Sequence, residues 1–252
     1  MDLGLKGKKA LVTGATRGIG RAIAETLAAE GCDVGICARG GDAIPDVVKA
    51  LESHGVKATG SAVDVCDRDA LKAWVNDSVK TLGGLNIFVS NVSAMAITPD
   101  EASWQTSFDV DIMGTVIGIE AATPHLTESG EGAIIIVGSV ASIEVGGVSP
   151  YAAVKAALLP YAKGLANSLA PKNVRANTVS PGSVYFEGGV WDMIKQGMPK
   201  MYESSLKRNK LGRMASPQDV ANAVVFLASP AASFITGTNV MVDGALTNRV
   251  QY

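Results

Sequence analysis

Apolar and amphipathic segments alternate along most of the chain. Short apolar runs such as KKALVTG, LNIFVSN and GAIIIVGS have the length of buried strands. Between such runs, apolar residues recur at helical spacing, as Ile19, Ala22, Ile23 and Leu27 do after the first run. The pattern predicts an α/β fold of the Rossmann type, which is a doubly wound, seven-stranded parallel sheet with helices on both faces.

Two of the predicted helices have prolines at informative positions. Thr98-Pro99-Asp100-Glu101 has the form of a capping box with proline at the first helical position, and a long helix is expected to follow it. A further helix begins at Ser149-Pro150 and has Pro160 in its middle, where a proline is expected to kink or break it.

Segment 183–213 is long for a loop, which indicates that it forms a lid covering a binding cleft. No linker, low-complexity stretch or short repeat divides the chain, so residues 1–252 are expected to form a single domain. The lid segment is rich in aromatic and methionine side chains, and it contains Tyr185, Phe186, Trp191, Met193, Met198, Met201 and Tyr202.

Composition removes several classes of function. The formal net charge of -2 gives no reason to expect binding to nucleic acid or to an acidic membrane surface. No apolar run approaches the roughly 18 residues of a membrane span, and the N-terminus lacks the layout of a signal peptide. Three cysteines and two histidines provide neither a disulfide framework nor a metal motif, so we expect a cytoplasmic protein without a metal site.

The stretch TGATRGIG lies between the first strand and the first helix. Its glycines, Gly14, Gly18 and Gly20, permit a tight turn, close approach of a diphosphate and close packing of helix on strand. The helix N-terminus adds free N–H groups for the anion. An ordinary glycine-rich turn is the alternative, but the position after the first strand favours dinucleotide binding, with the intervening residues Thr16, Arg17 and Ile19 also at the site.

The end of the second strand bears on the choice of cofactor. A site for an unphosphorylated ribose usually has an acidic residue there, whereas this chain has Ala38 and Arg39, and Arg17 adds a second cation. Two guanidinium groups without a carboxylate favour NADP(H) over NAD(H), unless both are merely solvated. After the third strand, Asp64-Val65 is predicted to contact the adenine, although an acid there is also a common helix cap.

Four motifs in register resemble the short-chain dehydrogenase/reductase family, and the resemblance covers the whole chain. They are TGATRGIG, the YxxxK of Tyr151 and Lys155, the RxNxxxPG of residues 175–182, and GTNVMVDG at 237–244. The resemblance implies interconversion of a carbonyl and an alcohol by a nicotinamide cofactor. It also implies a homotetramer, whose contacts come from the helix of Tyr151 and the last strand.

The resemblance assigns the catalytic roles. Tyr151 exchanges the proton, Lys155 tunes it and binds the nicotinamide ribose, and a serine holds the substrate oxygen. Residues four apart share a helix face, and an adjacent ammonium stabilises a phenolate. The serine normally stands thirteen residues before the tyrosine, where this chain has Gly138. We therefore assign Ser139 and infer a loop shortened by one residue, with Ser142 as the alternative.

Besides Pro160, the chain departs from the family pattern at Asp111 and in the stretch after strand four, and it keeps the pattern at Asn91, Pro181 and Gly182. Asp111 stands where the family has a catalytic asparagine; it is expected to pair with Lys155 and partly cancel the charge on the lysine, or else to be structural. The NNAG stretch after strand four appears as SNVS, which keeps Asn91 but replaces a glycine by serine. Pro181 and Gly182 of the RxNxxxPG stretch are expected at the cofactor.

The lid composition favours an apolar or bulky ketone or alcohol as the substrate. A 3-oxoacyl thioester is the alternative substrate, but the stretch before strand five is acidic at Glu128 and Glu131 and would repel an acidic acyl carrier. The Asp111 departure also leaves open a non-catalytic NADP(H)-binding sensor, against which the intact Tyr151 and Lys155 pair argues.

Overall fold

A computed structural model describes residues 2–144 and 146–250 of the chain. The strands are β1 (Lys9–Thr13), β2 (Asp33–Ala38), β3 (Ala58–Ala62), β4 (Ile87–Ser90), β5 (Gly132–Val137), β6 (Val174–Pro181) and β7 (Asn239–Val242). They form one sheet in the order β3-β2-β1-β4-β5-β6-β7, and every neighbouring pair is parallel. The predicted seven-stranded parallel sheet is confirmed.

Helices cover both faces of this sheet. They are α1 (Gly18–Ala29), α2 (Ile44–Glu52), α3 (Arg68–Leu82), α4 (Glu101–Ser107), α5 (Gly114–Glu128), α6 (Pro150–Leu169), α7 (Val190–Gly197), α8 (Pro199–Arg208) and α9 (Pro217–Ala228). Alternate residues of β1 point to opposite cores, with Ala10 and Val12 on the side of α1, α2 and α9, and Leu11 on the side of α3, α5 and α6. The central strands, such as β1, β4 and β5, are thus buried on both faces, as their apolar composition requires, whereas the edge strands β3 and β7 are partly exposed.

The order of the strands reverses at β1, which lies between β2 and β4. Ligands of doubly wound sheets bind beyond the carboxyl ends of the strands at such a reversal. Asn91 joins the two strand ends there, because its side-chain amide donates to the carbonyl oxygens of Thr13 and Gly14, both at 3.1 Å. The reversal therefore fixes the position of the glycine loop relative to the loop after β4.

The predicted long helix after β4 begins later than expected and is not continuous. Its N-cap is Asp100, whose carboxylate accepts a hydrogen bond from the Ser103 amide at 2.7 Å, so the capping box at Thr98 and the placement of Pro99 inside the helix were wrong. Residues Phe108–Met113 form a π-helical turn between α4 and α5. This widened turn contains Asp111.

Helix α6 begins as predicted, with Ser149 as N-cap and Pro150 at the first position. The predicted break at Pro160 is wrong, because the helix continues to Leu169. Pro160 faces solvent, while Leu158 and Ala162 on the opposite face are buried in the core. Packing of that face holds the helix together across the missing hydrogen bond.

Over residues 2–144 and 146–250, no helix is both long enough and apolar enough to span a membrane. In the same part of the chain, no group of three or more histidine, cysteine or acidic side chains is arranged to hold a metal ion.

Candidate active site

A cavity of about 520 Å³ lies at the carboxyl ends of the strands, under the segment that contains α7. Fourteen of the residues predicted for the site line this cavity: Gly14, Thr16, Arg17, Gly18, Ile19, Gly20, Arg39, Val65, Asn91, Ser139, Tyr151, Lys155, Pro181 and Gly182. Asp64 and Asp111, the other two, lie outside the lining. The structure thus gathers residues from seven separated stretches of sequence into one cleft.

The glycine loop has a backbone that other residues could not adopt without strain. Gly14 and Gly18 have φ angles of +65° and +56°, in the left-handed region. A Cβ on Gly20 would collide with the Gly14 carbonyl oxygen and with the Asn91 amide nitrogen. Arg17, the N-cap of α1, makes no side-chain capping bond, so no cap competes for the first N–H groups of the helix. These features fit a dinucleotide diphosphate.

The far end of the cavity lies beyond β2 and β3. Arg17 and Arg39 both line it and are exposed, so their guanidinium groups are accessible to a ligand. Cys37 also lines the cavity. Burial raises the pKa of its thiol to about 12, which keeps the thiol protonated. The Asp64 carboxylate accepts a hydrogen bond from the Cys66 amide at 3.0 Å, and Val65 faces the cavity instead.

Ser139, Tyr151 and Lys155 lie together at the other end. Ser139 follows β5 and caps a short turn, its hydroxyl oxygen accepting from the Ala141 amide at 3.1 Å. Ser142 is not a lining residue, and its hydroxyl donates to the Ser139 carbonyl oxygen at 2.6 Å. Val145, in the shortened loop between Ser139 and Tyr151, lies outside the described residues. The geometry favours Ser139 over Ser142 as the oxygen-binding serine.

The Lys155 side chain contacts two other segments of the chain, strand β5 and the π-helical turn. Its ammonium donates to the Val137 carbonyl oxygen at 3.1 Å and lies 6.0 Å from the centroid of the Tyr151 ring. The predicted ion pair with Asp111 is present, at 3.1 Å from Nζ to Oδ1, with both side chains buried. The other carboxylate oxygen, Oδ2, accepts from the Ala94 amide at 3.0 Å. Asp111 therefore lies behind the lysine, away from the reacting groups.

The lid segment is organised by its own polar contacts. Asp192 accepts hydrogen bonds from the Tyr185 hydroxyl at 2.9 Å and from the Gly188 amide at 3.0 Å, and the Gly188 bond is the larger cause of its lowered pKa. The Lys195 ammonium lies 5.0 Å from the ring of Tyr185 and 5.6 Å from that of Tyr202. The segment contains helices α7 and α8, where the length of 183–213 had been interpreted as a loop.

Apolar lid residues face the cleft. Phe186, Trp191 and Met193 line the cavity, and a Cβ on Gly18 would lie 2.6 Å from the Phe186 ring, so that ring packs directly on the glycine loop. Met95 and Ser93 of the SNVS stretch also line the cavity, and of these two sequence reasoning missed Met95. Its position just beyond the carboxyl end of β4 was the available signal, since such ends point to the cleft.

Comparison with known proteins identifies close relatives along the whole length. A family model described as enoyl-(acyl carrier protein) reductase matches residues 14–247. Isoepoxydon dehydrogenase patN of Penicillium expansum is 37% identical over 257 residues, covering 100% of this chain and 99% of that protein. Dehydrogenase/reductase SDR family member 4 of Homo sapiens is 35% identical, covering 98% and 90%. The 3-oxoacyl-[acyl-carrier-protein] reductase FabG of Aquifex aeolicus is 33% identical, covering 98% and 100%.

Solved structures with the same fold were determined with nicotinamide cofactors. L-sorbose reductase from Gluconobacter frateurii, complexed with NADPH and L-sorbose, has a TM-score of 0.91 and 28% identity over 99% of this chain and 100% of that one. A 7α-hydroxysteroid dehydrogenase complexed with NADH has a TM-score of 0.89 and 29% identity over 96% and 95%.

Proposed function

Because the chain belongs to the short-chain dehydrogenase/reductase family and is an oxidoreductase of that type, we propose that it interconverts a ketone and a secondary alcohol with NADP(H). The observation that carries this proposal is the meeting of Ser139, Tyr151 and Lys155 in the cavity that also contains the glycine loop. A positioned proton donor beside a dinucleotide site is the minimum that such a reaction needs.

The side chains divide the work at the carbonyl group. When bound, the nicotinamide supplies or accepts the hydride. The Ser139 hydroxyl donates a hydrogen bond to the carbonyl oxygen, on which negative charge develops. Tyr151 transfers its proton to that oxygen during reduction and takes it back during oxidation. The Lys155 ammonium, fixed by Val137 and Asp111, stabilises the phenolate left behind.

The preference for NADP(H) is supported by Arg17 and Arg39. Both guanidinium groups are exposed to the far end of the cavity, while the Asp64 carboxylate is engaged by the Cys66 amide. Two cations at that end suit the 2′-phosphate of NADP(H) and give an unphosphorylated ribose no carboxylate partner. A higher kcat/KM with NADH than with NADPH would contradict this preference.

We propose an apolar or bulky substrate, because the apolar side chains of Trp191, Met193 and Met95 line the cavity. The Asp192 carboxylate of the lid is occupied by the Tyr185 hydroxyl and the Gly188 amide. A panel of aryl and alicyclic ketones with NADPH, followed by oxidation of the cofactor, tests this assignment against small hydrophilic ketoses.

The substitution Tyr151→Phe tests the mechanism. It removes the proton donor and keeps the ring, so kcat is expected to fall about 10²–10⁴-fold. Tyr161→Phe is the matched control, since Tyr161 lies on the same helix but packs on the α3/α5/α6 core. Ketone reduction that proceeds equally well in Tyr151→Phe would sink the proposed mechanism, whatever the control does.

A 3-oxoacyl thioester is the second candidate substrate, supported by the similarity to FabG. Glu128 is exposed next to β5, which disfavours an acidic carrier, although Glu131 forms an ion pair with Lys8. Turnover of acyl-carrier thioesters at a higher kcat/KM than free ketones would reverse the ranking. A protein that binds NADPH and turns over neither class would be the non-catalytic sensor.

We propose further that residues 1–252 form a single catalytic domain with its lid at 183–213, and that the protein is a cytoplasmic homotetramer. The open edge of β7 and the fully exposed Phe234 beside it support a subunit contact. Light scattering on the eluted protein is expected to give four times the mass of the chain, and a monomer would refute the assembly.

A further inference from the structure

The π-helical turn Phe108–Met113 places a carboxylate under the catalytic lysine. Asp111 is fully buried, and Lys155 is 2% exposed, so water screens this pair very little. The Oδ1 atom of Asp111 has no aligned hydrogen-bond donor within the described ranges, although the Lys155 ammonium lies 3.1 Å away. The contact at Oδ1 is therefore chiefly an attraction between opposite charges. It weakens the electrostatic effect that Lys155 has on its neighbour Tyr151.

The other close contacts of this pair come from uncharged backbone groups. In the described part of the chain, Asp111 is the carboxylate in ion-pair contact with Lys155. The loop after β4 contributes the Ala94 amide to Asp111, and β5 contributes the Val137 carbonyl to Lys155; neither group titrates. Asp109, on the same π-turn, accepts instead from the Gln105 side chain at 2.8 Å.

We propose that Asp111 is a positioning residue that offsets the charge of Lys155, so that the lysine stabilises the Tyr151 phenolate less and the protein is set to reduce carbonyl groups rather than to oxidise alcohols. An unpaired ammonium would stabilise the phenolate, which is the form that accepts a proton during oxidation. A lysine paired with a buried carboxylate stabilises the phenolate less, and Tyr151 remains the proton donor that reduction requires. The inferred direction of catalysis rests on the proposed function. The effect of Asp111 on the protonation of Tyr151 does not depend on it.

The substitution Asp111→Asn tests the charge with little change of shape. The amide oxygen can still accept from the Ala94 amide, but the negative charge beside Lys155 is gone. Formation of the Tyr151 phenolate is then expected at a pH lower by about one unit or more, because a carboxylate that opposed it has been removed. The basic limb of kcat/KM for ketone reduction is expected to move to lower pH by the same amount.

The phenolate is measured directly by ultraviolet absorbance in the protein without added cofactor. The chain has five tyrosines, so each protein is titrated beside its own Tyr151→Phe counterpart, and the difference isolates Tyr151. Asp109→Asn is the matched control, since it removes a carboxylate from the same π-turn that contacts Gln105 instead of Lys155. Its titration is expected to coincide with that of the wild type.

Two outcomes overturn the proposal: an unchanged Tyr151 titration in Asp111→Asn, or an equal shift in Asp109→Asn. If Asp111→Asn does not fold, Asp111→Ser is titrated in its place, because its hydroxyl still offers an acceptor and carries no charge; the same shift is expected, and its absence is equally decisive. A wild type that reduces no carbonyl would refute the proposed function alone, since the titration needs neither substrate nor cofactor.

Discussion

The glycine-loop end of the cavity is formed by backbone and by exposed guanidinium groups, whereas the end at Ser139 and Tyr151 depends on charges withdrawn from solvent. Arg17 and Arg39 are exposed, while Lys155 and Asp111 are 2% and 0% exposed. Exposed charges contribute little to stability and remain free to meet a ligand. Buried charges are held rigidly, and each requires its partner.

The two ends of the cavity are thus suited to different tasks, the recognition of the cofactor and the transfer of a proton. Selection of a phosphorylated ribose needs only accessible cations, which the loops after β1 and β2 supply. Proton transfer needs a lysine whose position and charge are fixed, and the core supplies these through β5, α6 and the π-turn. Substitutions at the two ends should therefore differ in how far they lower the free energy of unfolding and in how far they weaken cofactor binding.

The largest expected effect on stability is that of Lys155→Met. It leaves the Asp111 carboxylate buried without its ammonium, and the free energy of unfolding is expected to fall by about 3–5 kcal/mol. Urea denaturation measures this loss. The exposed helical Lys72 provides the control, because Lys72→Met should change stability very little.

The double variant Lys155→Met, Asp111→Asn separates the buried charge from lost packing. If the carboxylate is the cause, the double variant regains much of the stability that the single variant loses. A double variant no more stable than Lys155→Met would show that the two ends of the cavity do not differ in the way described.

The substitution Gly20→Ala is expected to have the second largest effect. The added methyl group collides with the Gly14 carbonyl oxygen and the Asn91 amide, so stability should fall by about 1–3 kcal/mol. The affinity for NADPH should fall as well, because the collision distorts the turn that meets the diphosphate. Calorimetric unfolding and cofactor titration measure the two effects.

Gly197→Ala is the control for that substitution, since a Cβ on Gly197 would meet no atom within 4 Å. It should leave both stability and NADPH affinity near the values of the wild type. Equal losses in the two variants would indicate a general intolerance of added methyl groups and would remove the special role assigned to the turn.

The smallest expected effect on folding is that of Arg39→Ala, which should change selectivity instead. Loss of one exposed guanidinium is expected to weaken NADPH binding about tenfold, or ~1.4 kcal/mol, with the affinity for NADH and the unfolding midpoint unchanged. Binding is measured by quenching of protein fluorescence. Arg68→Ala, at an exposed position outside the cavity lining, should alter neither cofactor. Equal weakening of NADH and NADPH by Arg39→Ala would contradict the 2′-phosphate assignment.

The fold class followed from the sequence, because alternation of apolar and amphipathic segments favours a parallel sheet with both faces covered by helices. The sequence also placed the glycine loop and the start of α6, since a strand-to-helix turn and the Ser149-Pro150 cap are local signals. The shared face of Tyr151 and Lys155 follows from helical spacing alone.

The pairing of Asp111 with Lys155 was expected from the family pattern, but the way the two residues reach each other became visible only in the folded chain. Asp111 meets Lys155 across 44 positions of sequence because a π-turn rotates it inward, and no local pattern marked that turn. Asp64 turns to the Cys66 amide, and Pro160 is tolerated because its helix is packed on the core. Such outcomes depend on competing contacts between distant segments, which one-dimensional periodicity does not encode.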